Sequence, residues 1–269
     1  MSGKSTAPTP APEAELRDLL ARWDTFLAKI QARFAEAKRE AIDAVLGQLV
    51  DTDYDVAAVL TTTVAVEAQF RDLAQKIDAT WDRIGPRVEA LGGFDVYLEA
   101  TEKGRTLGTR LRRQTRHLRA EIDGRVAEAY WAHARPLMDA PFACSQCGGR
   151  LEPQRDTFGS HYVTCPYCQT VNTYLPHSKV SKLAWYGADM MAAWRVLPER
   201  AQLEDLELAS STLRYDADDA ERARLTADVQ AARRHYQGRY HDERIAIWPA
   251  YAKTRDADIA REMAKYESR

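Results

Sequence analysis

The chain has 269 residues, 29% of them charged, with 38 Lys and Arg against 40 Asp and Glu and a formal net charge of −2. A balance this even selects no polyanionic or polycationic partner on global grounds. No apolar run approaches the ~18–20 residues needed to cross a bilayer, and the length is enough for a large core in one extended domain or two.

Met1 to Pro12 is rich in Ser, Thr, Pro and Ala without a core pattern, and is expected to be a disordered tail. It carries no secretory signal, which points to a reduced, cytoplasmic setting. From Glu13 to about Val50 the pattern is helical. Leu16, Leu20, Trp23, Leu27, Ile30, Phe34, Ala37 and Ala41 step by four and three, a heptad seam. Asp51 to Asp53 supply a turn and an N-cap. A second seam follows through Val56, Val59, Thr63, Val66, Phe70, Leu73, Ile77 and Ile84, and Gly85-Pro86 is expected to end that helix. A short helix to about Leu91 and a break at Gly92-Gly93 come next. A third long helix is expected from Phe94 to about Met138, with Phe94, Tyr97, Leu107, Leu111, Leu118, Ile122, Val126 and Tyr130 in its seam. Gly104, Gly108 and Gly124 lie inside it, each costing about 1 kcal/mol against Ala. They predict either a kink near Gly104 to Gly108 or a close approach of two helices there.

The four cysteines of the chain fall in one window, Cys144-x2-Cys147 and Cys165-x2-Cys168, seventeen residues apart. Two residues between cysteines let one tight turn present both thiolates to a single ion, and four thiolates suit tetrahedral Zn2+ with Zn–S near ~2.3 Å. Gly148-Gly149 permits the positive φ such a turn needs, and Pro166 fixes φ inside the second pair. Around the pairs, 150–156, 159–164 and 170–175 read as short strands, with a hairpin turn at Asp156 to Gly159. Pro153 confines the first to an edge. A closed four-thiolate sphere leaves no open position for catalysis. Four cysteines in 269 residues are not a disulfide framework. A single iron in the same cage is the alternative ion. His161 and His177 flank the site, either as donors behind the ligands or as exposed residues.

The segment from about Phe142 to Pro176 resembles a zinc ribbon, the rubredoxin-like superfamily with four cysteine ligands. The resemblance implies one structural zinc held by Cys144, Cys147, Cys165 and Cys168. It leaves function open, since ribbons bind nucleic acid, bind proteins or clamp a loop. Gln169 stands where ribbons commonly place glycine, so a second turn of different shape is expected.

Helical pattern resumes near Ser178. Leu183, Trp185, Tyr186, Met190, Met191 and Trp194 form an apolar patch. Further helices are expected over about 198–213, 217–239 and 242–267, the last interrupted at Pro249. Trp185, Tyr186, Trp194 and Trp248 read as core, or as a base-stacking set. The stretch from His235 to Glu243 looks site-like, but two histidines six apart do not share a helix face, and it reads as a partly buried helix end.

Lys103, Arg105, Arg110, Arg112, Arg113, Arg116 and Arg119 put seven positive charges in seventeen residues without an acid. Such a helix suits phosphates. It also suits pairing, within the chain or between subunits, with the acidic segment 204–221, or a solvated face. No phosphate loop, no nucleophile elbow and no spare thiol is present.

The expected fold is mainly α: a long antiparallel helical bundle or coiled coil with a small β zinc-ribbon insertion. Its parts would be a tail over 1–12, a long-helix bundle over 13–140, the ribbon over 141–177 and a helical region over 178–269. The expected function is a non-enzymatic structural or adaptor protein, with a protein partner or self-association as its mode of action. The alternative is a nucleic-acid-binding protein using the ribbon and the basic helix 103–119.

Overall fold

The computed structural model describes residues 12–154, 158–213 and 218–267, without the side chains of residues 60, 183–186 and 267. The expected tail lies outside these residues except for Pro12, which opens the first helix. So do Asp156 of the expected hairpin turn, Asp216 of the acidic segment, and the Trp185 and Tyr186 side chains. The protein is mainly helical, with two small antiparallel two-stranded sheets. It divides into two compact units, Met1–Arg119 and Ala120–Arg269.

The first unit begins with α1 (Pro12–Asp51). The chain then turns through Asp53 and Tyr54, both at positive φ, and Asp55 caps the next helix by accepting from the Ala57 amide at 3.0 Å. α1 buries Trp23, Leu27, Ile30 and Phe34 as the heptad predicts, and then Ile42, Val45 and Leu49 in place of Ala37 and Ala41. The cause is the mismatch between 3.6 and 3.5 residues per turn. A straight helix drifts about 20° per heptad, so the buried stripe slips by one position.

α2 (Val56–Ala134) runs through Gly85-Pro86, where the sequence predicts a stop. The break comes at Gly93, whose φ of 77° and ψ of 178° are not helical. Gly93 is a reversal: Asp78 meets Arg112 at 3.0 Å and Glu67 meets Arg119 at 3.6 Å, so the arm over 94–119 returns antiparallel along the arm over 56–92. Against the first arm, α1 is antiparallel too. Phe34 packs edge-on to Phe70 at 4.7 Å, and Glu15 takes a two-pronged hydrogen bond from Arg87, both at 2.7 Å. Trp23 joins all three segments. Its ring lies 5.0 Å from that of Trp81, and its Nε1–H donates to the Ala100 carbonyl at 3.0 Å. A Cβ on Gly104 would stand 2.6 Å from the Trp23 ring. Gly104 is therefore a close approach of two helices, and the helix does not kink there. Phe94, expected in the seam, is 61% exposed because it sits at the reversal rather than along the packed arm.

In the second unit, the end of α2 leads through a 3-10 turn (Arg135–Asp139) to the strands β1 (Phe142–Ala143), β2 (Arg150–Leu151), β3 (His161–Thr164) and β4 (Val171–Tyr174). Helices α3 (Ser178–Arg195), α4 (Leu197–Ser211), α5 (Asp219–Ile247) and α6 (Arg255–Glu267) follow, with a 3-10 turn (Pro249–Lys253) before the last. α5 is the central strut. It continues past Arg239, where the sequence predicts a stop, and Pro249 falls beyond its end. Arg233 pairs with Glu207 and Arg239 with Glu199, so α4 and α5 are antiparallel. α2 and α3 cross closely at Gly124. A Cβ there would overlap that of Trp194 and lie 3.0 Å from the Met190 carbonyl. Gly124→Ala is expected to destabilise the second unit by about 2–3 kcal/mol through overpacking. Calorimetry checks it, and an unshifted second-unit transition would mean that the backbone yields freely.

The stretch around His241 lies inside α5, not at its end. His241 is buried, with Arg244 Nη1 at 3.3 Å from its Nδ1. Arg244 pairs with Asp189 and lies 3.8 Å over the Tyr251 ring. Burial and then the Arg244 charge hold the His241 imidazole below its usual pKa. The fold thus keeps it neutral, and its stabilising effect is present above the unfolded pKa of about 6.5 and lost as pH falls below it. Denaturant melts between pH 7.5 and 5.5 are expected to show a loss of stability that His241→Phe reduces.

Candidate metal centre

The cysteines are set by two matching turns. β1 pairs with β2, Phe142 opposite Leu151 and Ala143 opposite Arg150, and encloses the first. β3 pairs with β4 in the register His161–Tyr174 through Thr164–Val171 and encloses the second. In the first, the Cys144 amide donates to Gly149 O at 2.8 Å and the Gly148 amide to Cys144 O at 2.9 Å. In the second, the Cys165 amide donates to Thr170 O at 2.9 Å and the Gln169 amide to Cys165 O at 3.0 Å. Gly148 has φ of 71° and Gln169 of 63°. The second turn therefore keeps the shape of the first although Gln169 replaces glycine. The left-handed region costs a side-chain-bearing residue about 1–2 kcal/mol, part of which glycine returns as backbone entropy. Gln169→Gly is expected to stabilise the site by about 0.5–1 kcal/mol. The check is the midpoint of a chelator titration, and a lower midpoint would contradict the strain.

The four Sγ atoms lie within 4.8 Å of one another. Cys144 and Cys168 are 3.5 Å apart, Cys147 and Cys165 3.6 Å. A tetrahedron with ~2.3 Å bonds has edges of about 3.8 Å, so the cluster fits one ion. The sulfurs are far beyond the ~2.05 Å of a disulfide, and all four cysteines are free. Cys144 and Cys165 are buried, Cys147 and Cys168 exposed. The Cys147 and Gln146 amides lower the Cys144 thiol to about 6. Cys147, against the pull of the Gly149 amide, is pushed up to about 12 by Cys168 and Cys165. Four sulfurs this close cannot all ionise without a cation. Four cysteines in this arrangement can hold a metal ion.

Asn172 supports the cluster and is a residue that sequence reasoning missed. It is buried, and its Nδ2 lies 3.5 Å from Cys144 Sγ and donates to Thr170 O at 3.0 Å. Its Oδ1 accepts from the Ser145 amide at 2.9 Å and hydroxyl at 3.0 Å. The available signal was a polar residue at the inward position of an alternating strand. Neither flanking histidine joins the sulfurs. His161 Nε2 accepts from the Gln154 amide at 2.9 Å, and His177 caps α3 by accepting from the Lys179 amide at 3.2 Å.

Beyond its own small core of Leu151, Phe142 and Val163, the cysteine-bearing β segment is pinned to the helices of its unit by Phe158. That ring is 5% exposed, edge-on to Trp131 at 5.7 Å and to Trp248 at 4.0 Å. Trp248 is thus part of a packed contact, not a stacking platform. Another face is left open. Tyr162 and Val171 project from the same side of the β3–β4 hairpin and Leu175 continues it, at 77%, 60% and 74% exposure. Tyr167 is exposed on the second turn, its ring against Gly149.

The basic residues do not gather on one free face. Lys103 lies 3.4 Å from Glu99 and 3.8 Å from Asp24, and Arg105 pairs with Glu102 at 2.7 Å. Arg110 donates to Gln31 at 2.8 Å. Arg112 and Arg119 meet Asp78 and Glu67, and Arg113 and Arg116 are engaged as well. The acids that meet Lys103, Arg105, Arg112 and Arg119 come from α1 and from α2 itself. In the acidic segment, Glu204 pairs with Arg200, Glu207 with Arg233, and Asp218 caps α5. Among the described residues, no helix is long and apolar enough to cross a membrane. No family model, no curated protein and no solved structure matches the chain.

Proposed function

We propose that this protein is a non-enzymatic adaptor: a helical scaffold carrying a zinc-locked ribbon that contacts a protein partner and supports self-assembly. The observation that carries this reading is the two-sidedness of the ribbon. Phe158 is committed to Trp131 and Trp248, while Tyr162, Val171 and Leu175 form an apolar face that no described residue of the second unit covers. Clustered exposed apolar side chains mark contact surfaces more often than chance surface residues do. Zinc is the ion favoured by four thiolates with tetrahedral spacing, and its closed sphere gives it a structural rather than catalytic role. The nucleic-acid alternative is the weaker one, because Lys103, Arg105, Arg112 and Arg119 each already meet an acid.

A photo-crosslinking amino acid at position 162, expressed in the native cell, tests the reading. Discrete protein adducts that Leu175→Asp abolishes support it. Adducts to nucleic acid, or protein adducts indifferent to Leu175→Asp, overturn it.

A further inference from the structure

We infer that the groove between the two arms of α2 in the first unit is a binding site for a small phosphate ester. The site is independent of the ribbon, and its failure would leave the adaptor reading untouched. The groove has a volume of about 550 Å³, within the roughly 300–1,000 Å³ of small-molecule sites. Arg71 lines one wall, and Arg112 and Arg116, one turn apart, line the other. Ala74 and Thr115, both buried, form a floor with little charge.

The three guanidinium groups are not equivalent. Arg112 is held in place. Asp78 takes its Nη1 at 3.0 Å, and its Nη2 lies over Gly108, where a Cβ would be 3.2 Å away. Glycine at 108 thus leaves room for the guanidinium to fold along the helix. Arg116 is also engaged. Arg71 is exposed and forms no ion pair among the described residues. The acids on the groove are Glu67 and Asp78, and each already faces an arginine of the second arm, Arg119 and Arg112. An arginine without an ion pair among the described residues therefore faces Arg116 and the pre-positioned Arg112 across a floor with little charge. Guanidinium groups match phosphate oxygens with paired N–H donors, and pre-positioning lowers the entropy cost of using them. The phosphoryl group would sit between Arg71 and Arg116, with the organic body over Ala74 and Thr115.

The test is calorimetric titration of the full-length chain with AMP, with inorganic phosphate, and with a twelve-nucleotide single-stranded DNA. AMP is expected to bind, more tightly than phosphate alone, and its affinity is expected to weaken when salt is raised from 50 to 300 mM. Arg71→Ala is expected to weaken AMP binding at least tenfold, and Arg110→Ala, which faces Gln31 on α1 instead, to leave it unchanged. No AMP binding, AMP binding that Arg71→Ala leaves intact, or binding of the DNA alone would each overturn the proposal.

Discussion

Removing the metal with a chelator, or replacing Cys165 by Ser, is expected to unfold residues 142–174 and release Phe158 from Trp131 and Trp248, while most helicity survives. The ribbon's own core is three apolar side chains beside two buried cysteines, too little to hold four short strands. Structural zinc supplies apparent free energies of about 10–16 kcal/mol in small zinc peptides, so a metal held by these four cysteines would supply most of what holds the β segment together. The helices of the second unit keep their own contacts. Arg195 still reaches Glu128 and Glu243, and α4 still pairs with α5. The readout is tryptophan fluorescence, which should shift to the red as Trp131 and Trp248 gain water, beside a far-UV dichroism that changes little. Complete collapse of the helical signal would mean that the metal holds the whole unit, not a local clamp. Phe158→Ala should give the fluorescence shift with the metal still bound.

Trp23→Ala is expected to cost the first unit about 3–5 kcal/mol, the range for emptying a large buried aromatic site. The ring is 1% exposed and touches all three helical segments. A unit of this size should lose roughly 10–20 °C in its melting transition. Trp23→Phe should cost much less, because the Ala100 carbonyl that accepts the indole N–H lies within a helix. Gly104→Ala should be harmful in the wild type and close to neutral beside Trp23→Ala, since the ring its methyl would strike is gone. Additive losses in that pair would place Trp23 and Gly104 apart, against the packing described above.

The metal cluster was the most legible part of the chain because its chemistry is carried by residue type and short spacing. Four thiolates two and seventeen residues apart have few other uses. The helices were legible from their period, and some but not all of their ends were. Gly85-Pro86 reads locally as a stop, and packing of Gly85 between Trp81 and Tyr97 overrides it. The reversal falls at Gly93, within the Gly92-Gly93 break that the sequence does predict. The partners of the basic run were only partly legible, because Asp24, Glu67 and Asp78 lie far from it in sequence. Phe158 carried no signal because a single aromatic in a loop has no period, yet it decides which side of the ribbon is open.

Whether the ribbon is a zinc site can be decided by native mass spectrometry of the intact chain, purified without added metal and treated with a thiol-alkylating reagent. One zinc ion per chain is expected, with four cysteines protected until the metal is removed. A metal-free chain with all four thiols alkylated, or one carrying two disulfides, would contradict it.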